Sequence, residues 1–294
     1  MDEQNWLAEQ FEANRSHLRG VAYRMLGSRS EADDAVQEAW LRLSRSGTSS
    51  ITNLGGWLTT VLARICLDGL RERKARREEP LAADRPEPIV IREGGVHPEH
   101  EVLLADSIGL ALLVVLEKLT PAERVAFVLH DMFDLPFEEI APIVGRSPTA
   151  ARQLASRARR RVQGGANPPT PDLTRQREVV EAFLAASRGG DFEALFAVLD
   201  PDVVLRADRA AVPAGAPREI RGTPAVAKGA LAYSARARFT QPALVNGNVG
   251  LVVAPGGRLF LVLAFTIADE RIVEIDVIAD AERLRRLDLA VLSD

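Results

Sequence analysis

The residues best equipped for chemistry lie between Leu135 and Val162, in LPFEEIAPIVGRSPTAARQLASRARRRV. Thr149, Arg152, Gln153, Ser156 and Arg160 fall on one side of a helix and carry hydrogen-bonding groups able to reach base edges in a DNA groove. Arg157, Arg159 and Arg161 flank them as partners for phosphates, and no acid intervenes between Ala150 and Gln163. The opposite side, Ala151, Leu154, Ala155, Ala158 and Val162, is an apolar stripe suited to a core. An amphipathic core helix with a solvated basic face would show the same split. The preceding residues favour DNA reading. Pro136 is placed to open a first helix, since proline has no N–H to lose in a first turn. Phe137, Ile140, Ala141 and Val144 keep helical spacing. Gly145 allows a sharp turn, Ser147 is an N-cap residue, and Pro148 follows at the first helical position. The pattern predicts a helix-turn-helix whose second helix enters a major groove.

A second cationic block, RERKARR at Arg71 to Arg77, closes a long helix predicted from Trp57 to Arg77. Leu58, Val61, Leu62, Ile65 and Leu70 suit its buried side. Trp57, Thr60, Arg64, Asp68 and Arg71 form an outward stripe. A tryptophan leading into cations can stack on an unpaired base while the cations hold the backbone; a core aromatic is the competing assignment. Upstream, a helix is predicted over Trp6 to Met25, with Phe11, Leu18, Val21, Ala22 and Met25 inward and Gly27 ending it. Ser30, with Asp33 three residues on, reads as the cap of the next helix. There Ala32, Val36, Ala39, Trp40 and Leu43 make an apolar face, opposite Asp34, Gln37 and Glu38.

At 294 residues the chain is too long for one typical core. An apolar fraction of 47% and a charged fraction of 27% belong to a soluble globular protein. The formal net charge of −4 argues against nucleic acid only on average, because the cations are segregated into the two blocks above. One cysteine, Cys66, excludes a disulfide framework and a cysteine-rich zinc site, and reads as a buried thiol. No stretch has the length of a membrane span and no secretory signal opens the chain, so a cytoplasmic protein without membrane contact is expected.

Prolines and glycines break the pattern between Glu78 and His100, which reads as a linker. His97 and His100 lack a third ligand nearby, so no metal is expected. Helical spacing resumes through Leu103, Ile108, Leu112, Val115, Leu116 and Leu119. Thr120 then caps a helix with Pro121 and Glu123 in its first turn. Val125, Phe127, Val128 and Met132 give it a core face, and His130 reads as structural. Five segments result: 1–78, a linker at 79–100, 101–165, a linker at 166–174, and 175–294.

Three runs together resemble bacterial sigma factors: DDAVQEAWLRL at Asp33 to Leu43, GWLTTVLARICLDGLRERKARR at Gly56 to Arg77, and LTPAERVAFVLHD with FEEIAPIVGRSPTAARQLASRARRRV from Leu119. The type resembled is the small extracytoplasmic-function kind of the sigma-70 family, with regions two and four only. The resemblance covers about the first 165 residues. It implies promoter recognition and transcription initiation, with no cofactor and no reaction of its own. It places Asp34, Gln37, Glu38 and Trp40 against the coiled coil of the polymerase β′ subunit, and implies a second contact with the β flap. It places Trp57, Arg64, Asp68, Arg71, Arg73 and Lys74, with the loop around Ser46 to Asn53, at the melted −10 element. It places Thr149, Arg152, Gln153, Ser156, Arg157 and Arg160 at the −35 element. A stand-alone helix-turn-helix regulator remains an alternative, as does a DNA binder fused to a small-molecule-binding or cyclase-like domain.

From Glu178 the pattern changes. A helix over Glu178 to Ser187, then GGDFEALFAVLDPDVVLRAD as turn, helix and strand, then a helix over Thr223 to Ala232 lead into strands at 243–245, 249–253, 259–267 and 272–277. Asn246-Gly247 and Pro255-Gly256-Gly257 mark turns. The layout resembles a SnoaL-like α+β cone, an extension carried by sigma-J-type factors. The expected fold is therefore two all-α domains followed by an α+β cone. The cone leaves room for an unidentified small ligand and is expected to regulate sigma activity. Asp202, Asp208, Glu219 and Asp276 are its candidate acid–base carboxylates, but no histidine follows His130, and a binding role is preferred.

Overall fold

Helices precede a single sheet in the computed structural model, which describes residues 3–46, 53–78, 110–163 and 171–292 apart from 214, 234–236 and 238. Most of the expected linker with His97 and His100, and most of the loop from Ser46 to Asn53, lie outside the described residues. The described residues fall into two compact units, one within 1–107 and 116–159, the other within 108–115 and 160–294.

In the first unit α1 (Glu3–Leu26), α2 (Arg29–Arg45) and α3 (Leu54–Glu78) pack around Phe11, Leu18, Met25, Leu43, Leu58, Leu62 and Leu67, all buried. Burying each such side chain contributes about 1.5–3 kcal/mol. Gly27 turns the chain with φ 75°. The cap of α2 is Ser28, not Ser30 as expected: its Oγ accepts from Glu31 N at 3.4 Å. Once Gly27 has reversed the chain, the helix winds at once, and Ser30 falls in its first turn. α3 likewise starts three residues before Trp57. Asn53 Oδ1 accepts from Gly56 N at 3.0 Å, a cap that the Gly55-Gly56 pair obscures in the sequence. Cys66 is buried as expected, and burial pushes its thiol up to about 12.

The next helices are α4 (Leu110–Glu117), α5 (Pro121–Phe127), α6 (Phe137–Val144) and α7 (Pro148–Val162). Thr120 and Glu123 form the expected reciprocal capping box. After α5 the chain widens into a π-turn over Val128–Met132, closed by Asp134 at φ 54°. The wider turn rotates Met132 only half inward, where α-spacing expects a core residue. His130 is structural: its Nδ1 lies 3.0 Å from Leu135 O and its ring rests on Phe137. Pro136 serves as the N-cap of α6, with extended backbone, rather than as its first residue.

The second unit carries α8 (Pro171–Gly189), α9 (Phe192–Val198), β1 (Leu199–Ala207), β2 (Glu219–Arg221), α10 (Thr223–Ala232), β3 (Thr240–Val245), β4 (Asn248–Val253), β5 (Leu261–Ala268), β6 (Arg271–Ile278), α11 (Ala281–Arg286) and β7 (Leu289–Ala290). The strands form one sheet in the order β2-β1-β6-β5-β4-β3-β7, antiparallel except for the parallel pair β1–β6. Val180, Leu195, Val203, Val226, Ile272 and Ile275 centre its core. Asn246 (φ 51°) and Gly247 (φ 86°) make the hairpin turn read from their sequence. β2, α11 and β7 are not expected from the sequence, being too short to show a period. Two segments outside the α+β run belong to this unit: Ala111 N donates to Gln241 Oε1 at 3.2 Å, and Val291 N to Val162 O at 2.9 Å.

Candidate nucleic-acid interface

Gly145, at φ 68° and ψ 42°, provides the left-handed turn between α6 and α7, and nothing within 4 Å would meet a Cβ there, so its role is conformational. Ser147 Oγ accepts from Ala150 N at 3.2 Å and starts α7 at Pro148. That start fixes the phase of the helix. Ala151, Leu154, Ala155, Ala158 and Val162 are buried; Thr149, Arg152, Gln153, Ser156, Arg157 and Arg160 are exposed. The cations differ in what they touch. Arg152 holds its guanidinium 5.1 Å above the Phe137 ring of α6, an apolar rest that restricts a long side chain. Arg157 Nε donates to Glu123 Oε1 at 3.2 Å, and Glu123 is itself buried. Arg159 Nε donates to Asp131 Oδ1 at 2.6 Å. Through their Nε atoms Arg157 and Arg159 thus tie α7 to Glu123 of α5 and to Asp131 of the π-turn, while Arg152 and Arg160 are exposed with Gln153 and Ser156.

On α3, Arg64, Asp68 and Arg71 are exposed on one face and Trp57, half-buried, leads into it. Arg71 Nη1 lies 3.4 Å from Asp68 Oδ1, an exposed pair of little energetic weight. Arg73 points elsewhere. Its Nη1 and Nη2 donate to Leu26 O at 3.2 Å, and Nη1 donates to Glu31 Oε2 at 2.9 Å. The structure therefore separates Arg73 from the stripe and uses it to hold the end of α1 and the start of α2 on α3. Lys74 is exposed at the flank.

On α2, Asp34 and Gln37 are exposed and Glu38, half-buried, accepts from Arg42 Nε at 2.9 Å. Trp40 turns away from them, its ring 5.0 Å from Phe11 of α1. The same outward face holds Leu41, 38% exposed. Sequence reasoning misses Leu41; its signal is an apolar residue out of phase with Ala32, Val36, Ala39 and Leu43.

Comparison with known proteins places these surfaces in a family. The Sigma-70 region 2 family model matches residues 10–76 and the Sigma-70 region 4 model matches residues 109–162. The ECF RNA polymerase sigma factor SigJ of Mycobacterium tuberculosis is 42% identical over 252 residues, covering 83% of this chain and 80% of SigJ. The chain belongs to the ECF RNA polymerase sigma factors. The probable ECF sigma factor SigI of the same organism is 38% identical over 214 residues, 71% of this chain and 72% of SigI. Among solved structures, the crystal structure of M. tuberculosis SigJ covers 94% of this chain and 97% of its own, at 37% identity and a TM-score of 0.46. As a sigma factor the chain acts by binding core RNA polymerase and promoter DNA, not by catalysing a reaction. No described helix is long and apolar enough to cross a membrane.

Of the four carboxylates considered for acid–base work in this sigma factor, Asp208 and Glu219 are already engaged by other groups. Asp208 accepts from Ala279 N, Asp280 N and Ala211 N at 2.8, 2.7 and 3.0 Å, clipping β1 to the end of β6. Glu219 pairs with Arg221 and Arg206, which hold its carboxyl below the usual range. Asp202 is exposed and Asp276 half-buried. None of the four lines the apolar cavity of about 280 Å³ inside the cone, whose wall includes Phe183, Leu205, Ala230, Leu251 and Leu263.

Proposed function

We propose that this ECF sigma factor reads the −35 element with Thr149, Arg152, Gln153, Ser156, Arg157 and Arg160 of α7, and meets the melted −10 element with Trp57, Arg64, Asp68, Arg71 and Lys74 of α3. Arg73, which the family resemblance groups with them, supports that surface from behind. Asp34, Gln37 and Glu38, with Leu41 one turn beyond them on the same face, dock on the β′ coiled coil; Trp40 supports them through Phe11, and the region 4 helices meet the β flap. The observation that carries this reading is the division of α7: every residue chosen for base or phosphate contact is exposed, and every residue chosen for the core is buried. Run-off transcription with purified core enzyme across a promoter library tests it. A motif pair at −35 and −10 is expected, and promoter-independent transcripts would refute it.

The cone regulates these surfaces rather than performing chemistry. Its cavity presents almost wholly apolar walls and no carboxylate among the described residues, which suits retention of an apolar ligand and not proton transfer. Deleting residues 172–294 and transcribing from a cognate promoter is the direct test. Altered output is expected; unchanged output with unchanged polymerase affinity would remove the regulatory role.

A further inference from the structure

Three side chains lead in series from the π-turn to the reader helix. His130, carried by the π-turn, has Nδ1 3.0 Å from Leu135 O. A carbonyl only accepts, so this contact puts the proton on Nδ1 and fixes the plane of the imidazole. The turn is itself tied down, with Leu135 N donating to Leu129 O at 2.9 Å and Asp134 N to His130 O at 3.1 Å. Phe137, the first residue of α6, packs its ring on that imidazole, with centroids 4.0 Å apart and 36° between the planes. The Arg152 guanidinium of α7 lies over the same phenyl ring, 5.1 Å from its centroid. Phe137 is only 8% exposed, whereas Arg152 is exposed. A ring so buried can act on DNA only through the arginine that rests on it.

We propose that Phe137 is a positioning residue for −35 readout, which holds Arg152 in its reading conformation before DNA arrives. The proposal rests on the assignment of Arg152 to the −35 element. A free arginine side chain samples many rotamers, and a base contact must freeze them. A ring that already restricts them lowers that cost. The kind of restraint matters as much as its strength. Arg157 and Arg159 are held by the carboxylates of Glu123 and Asp131, which take up N–H donors and offset charge. A phenyl ring attracts the cation through its π face and leaves the N–H edge of the guanidinium available. Arg152 therefore keeps both its charge and the forked donors that match a guanine edge. An aliphatic residue at position 137 would fill the same core site of α6 and offer no π face. His130 in turn keeps the Phe137 ring from rotating away, which gives the π-turn a part in promoter reading.

The test is a double-mutant cycle in holoenzyme. Wild type, Phe137→Leu, Arg152→Ala and the double variant are compared on a cognate promoter and on its single −35 base-pair variants. The readout is discrimination, the cognate affinity divided by the affinity for each variant promoter. Phe137→Leu is expected to lower discrimination about two- to fivefold, the worth of an exposed cation–π contact, at the one base pair where Arg152→Ala also lowers it. In the Arg152→Ala background it should lower discrimination no further. Phe137→Tyr keeps the ring and should discriminate like the wild type. A merely structural role would weaken binding to all promoters alike and leave the ratio unmoved, so a loss of folded protein in Phe137→Leu cannot imitate the result. Unchanged discrimination in Phe137→Leu, the same loss persisting without Arg152, or a loss in Phe137→Tyr as deep as in Phe137→Leu would each overturn the positioning role and leave Arg152 a −35 contact. Arg152→Ala without effect at any base pair would remove the assignment beneath the proposal and the proposal with it.

Discussion

Arg152 and Arg73 show how far residue type alone can mislead. Both are arginines on helices that carry a basic run, yet one rests on an aromatic ring facing outward and the other is spent on Leu26 O and Glu31. Arg152→Ala is expected to weaken −35 recognition by about 1–3 kcal/mol and to relax preference at one base pair. Binding to a panel of −35 variants measures this, and an equal loss on every sequence would reduce Arg152 to a phosphate contact. Arg73→Ala is expected to cost about 1.5–3 kcal/mol of stability through its charged hydrogen bonds, whereas Arg71→Ala, on an exposed side chain, should stay within about 0.5 kcal/mol of wild type. Urea unfolding of the two variants side by side decides between these roles. Cys66 offers a third check. With its thiol pushed up to about 12 by burial, almost no thiolate exists at pH 8, so alkylation should be slow in the native protein and rapid in denaturant. The candidate site is thus legible in the sequence wherever position on a helix face decides exposure, as along α7. It is illegible for Arg73 and Trp40, whose partners, Glu31 and Phe11, lie on other helices.

Elements here are set by their ends more than by their middles. Gly145 and Ser147 fix where α7 begins and hence which side chains face outward. Gly145→Ala should cost about 1–2 kcal/mol, because an alanine at φ 68° is strained even with open space around it. The reader helix should lose promoter affinity beyond what that stability change predicts; affinity falling only in step with the folded fraction would show that the turn has no positioning role. The same dependence on ends explains which parts of the fold are readable. Amphipathic helices and the strands β3 to β6 announce themselves by period, and Thr120 with Glu123 by spacing. The cap at Ser28 is shifted by its neighbour Gly27, and the π-turn at Val128–Met132 has no sequence period of its own. β2 and β7 span three and two residues, too few to alternate visibly. They exist because β1 and β3 supply edges to pair with.

At the scale of the whole molecule, a formal charge of −4 has to be reconciled with a DNA partner. Long-range attraction to a promoter is governed by local charge, since exposed charges farther apart than about 8–10 Å are largely screened at physiological salt. On α3 the exposed Arg64, Arg71 and Lys74, and on α7 the exposed Arg152 and Arg160, set the local charge that a promoter would meet. Promoter affinity should therefore fall steeply with salt in spite of the negative total. For holoenzyme, the contribution of core polymerase cancels when wild type and Arg71→Ala are compared on the same promoter. Removing a cation that neutralises one phosphate should make the slope of log affinity against log salt shallower by about 0.9 on duplex DNA, or about 0.7 where the strands are melted. A change near the smaller value would place Arg71 on the opened −10 strand, and one near the larger on the flanking duplex. An unchanged slope with unchanged affinity would mean that Arg71 touches no phosphate. The exposed stripe of α3 would then owe its DNA contact to Arg64 and Lys74.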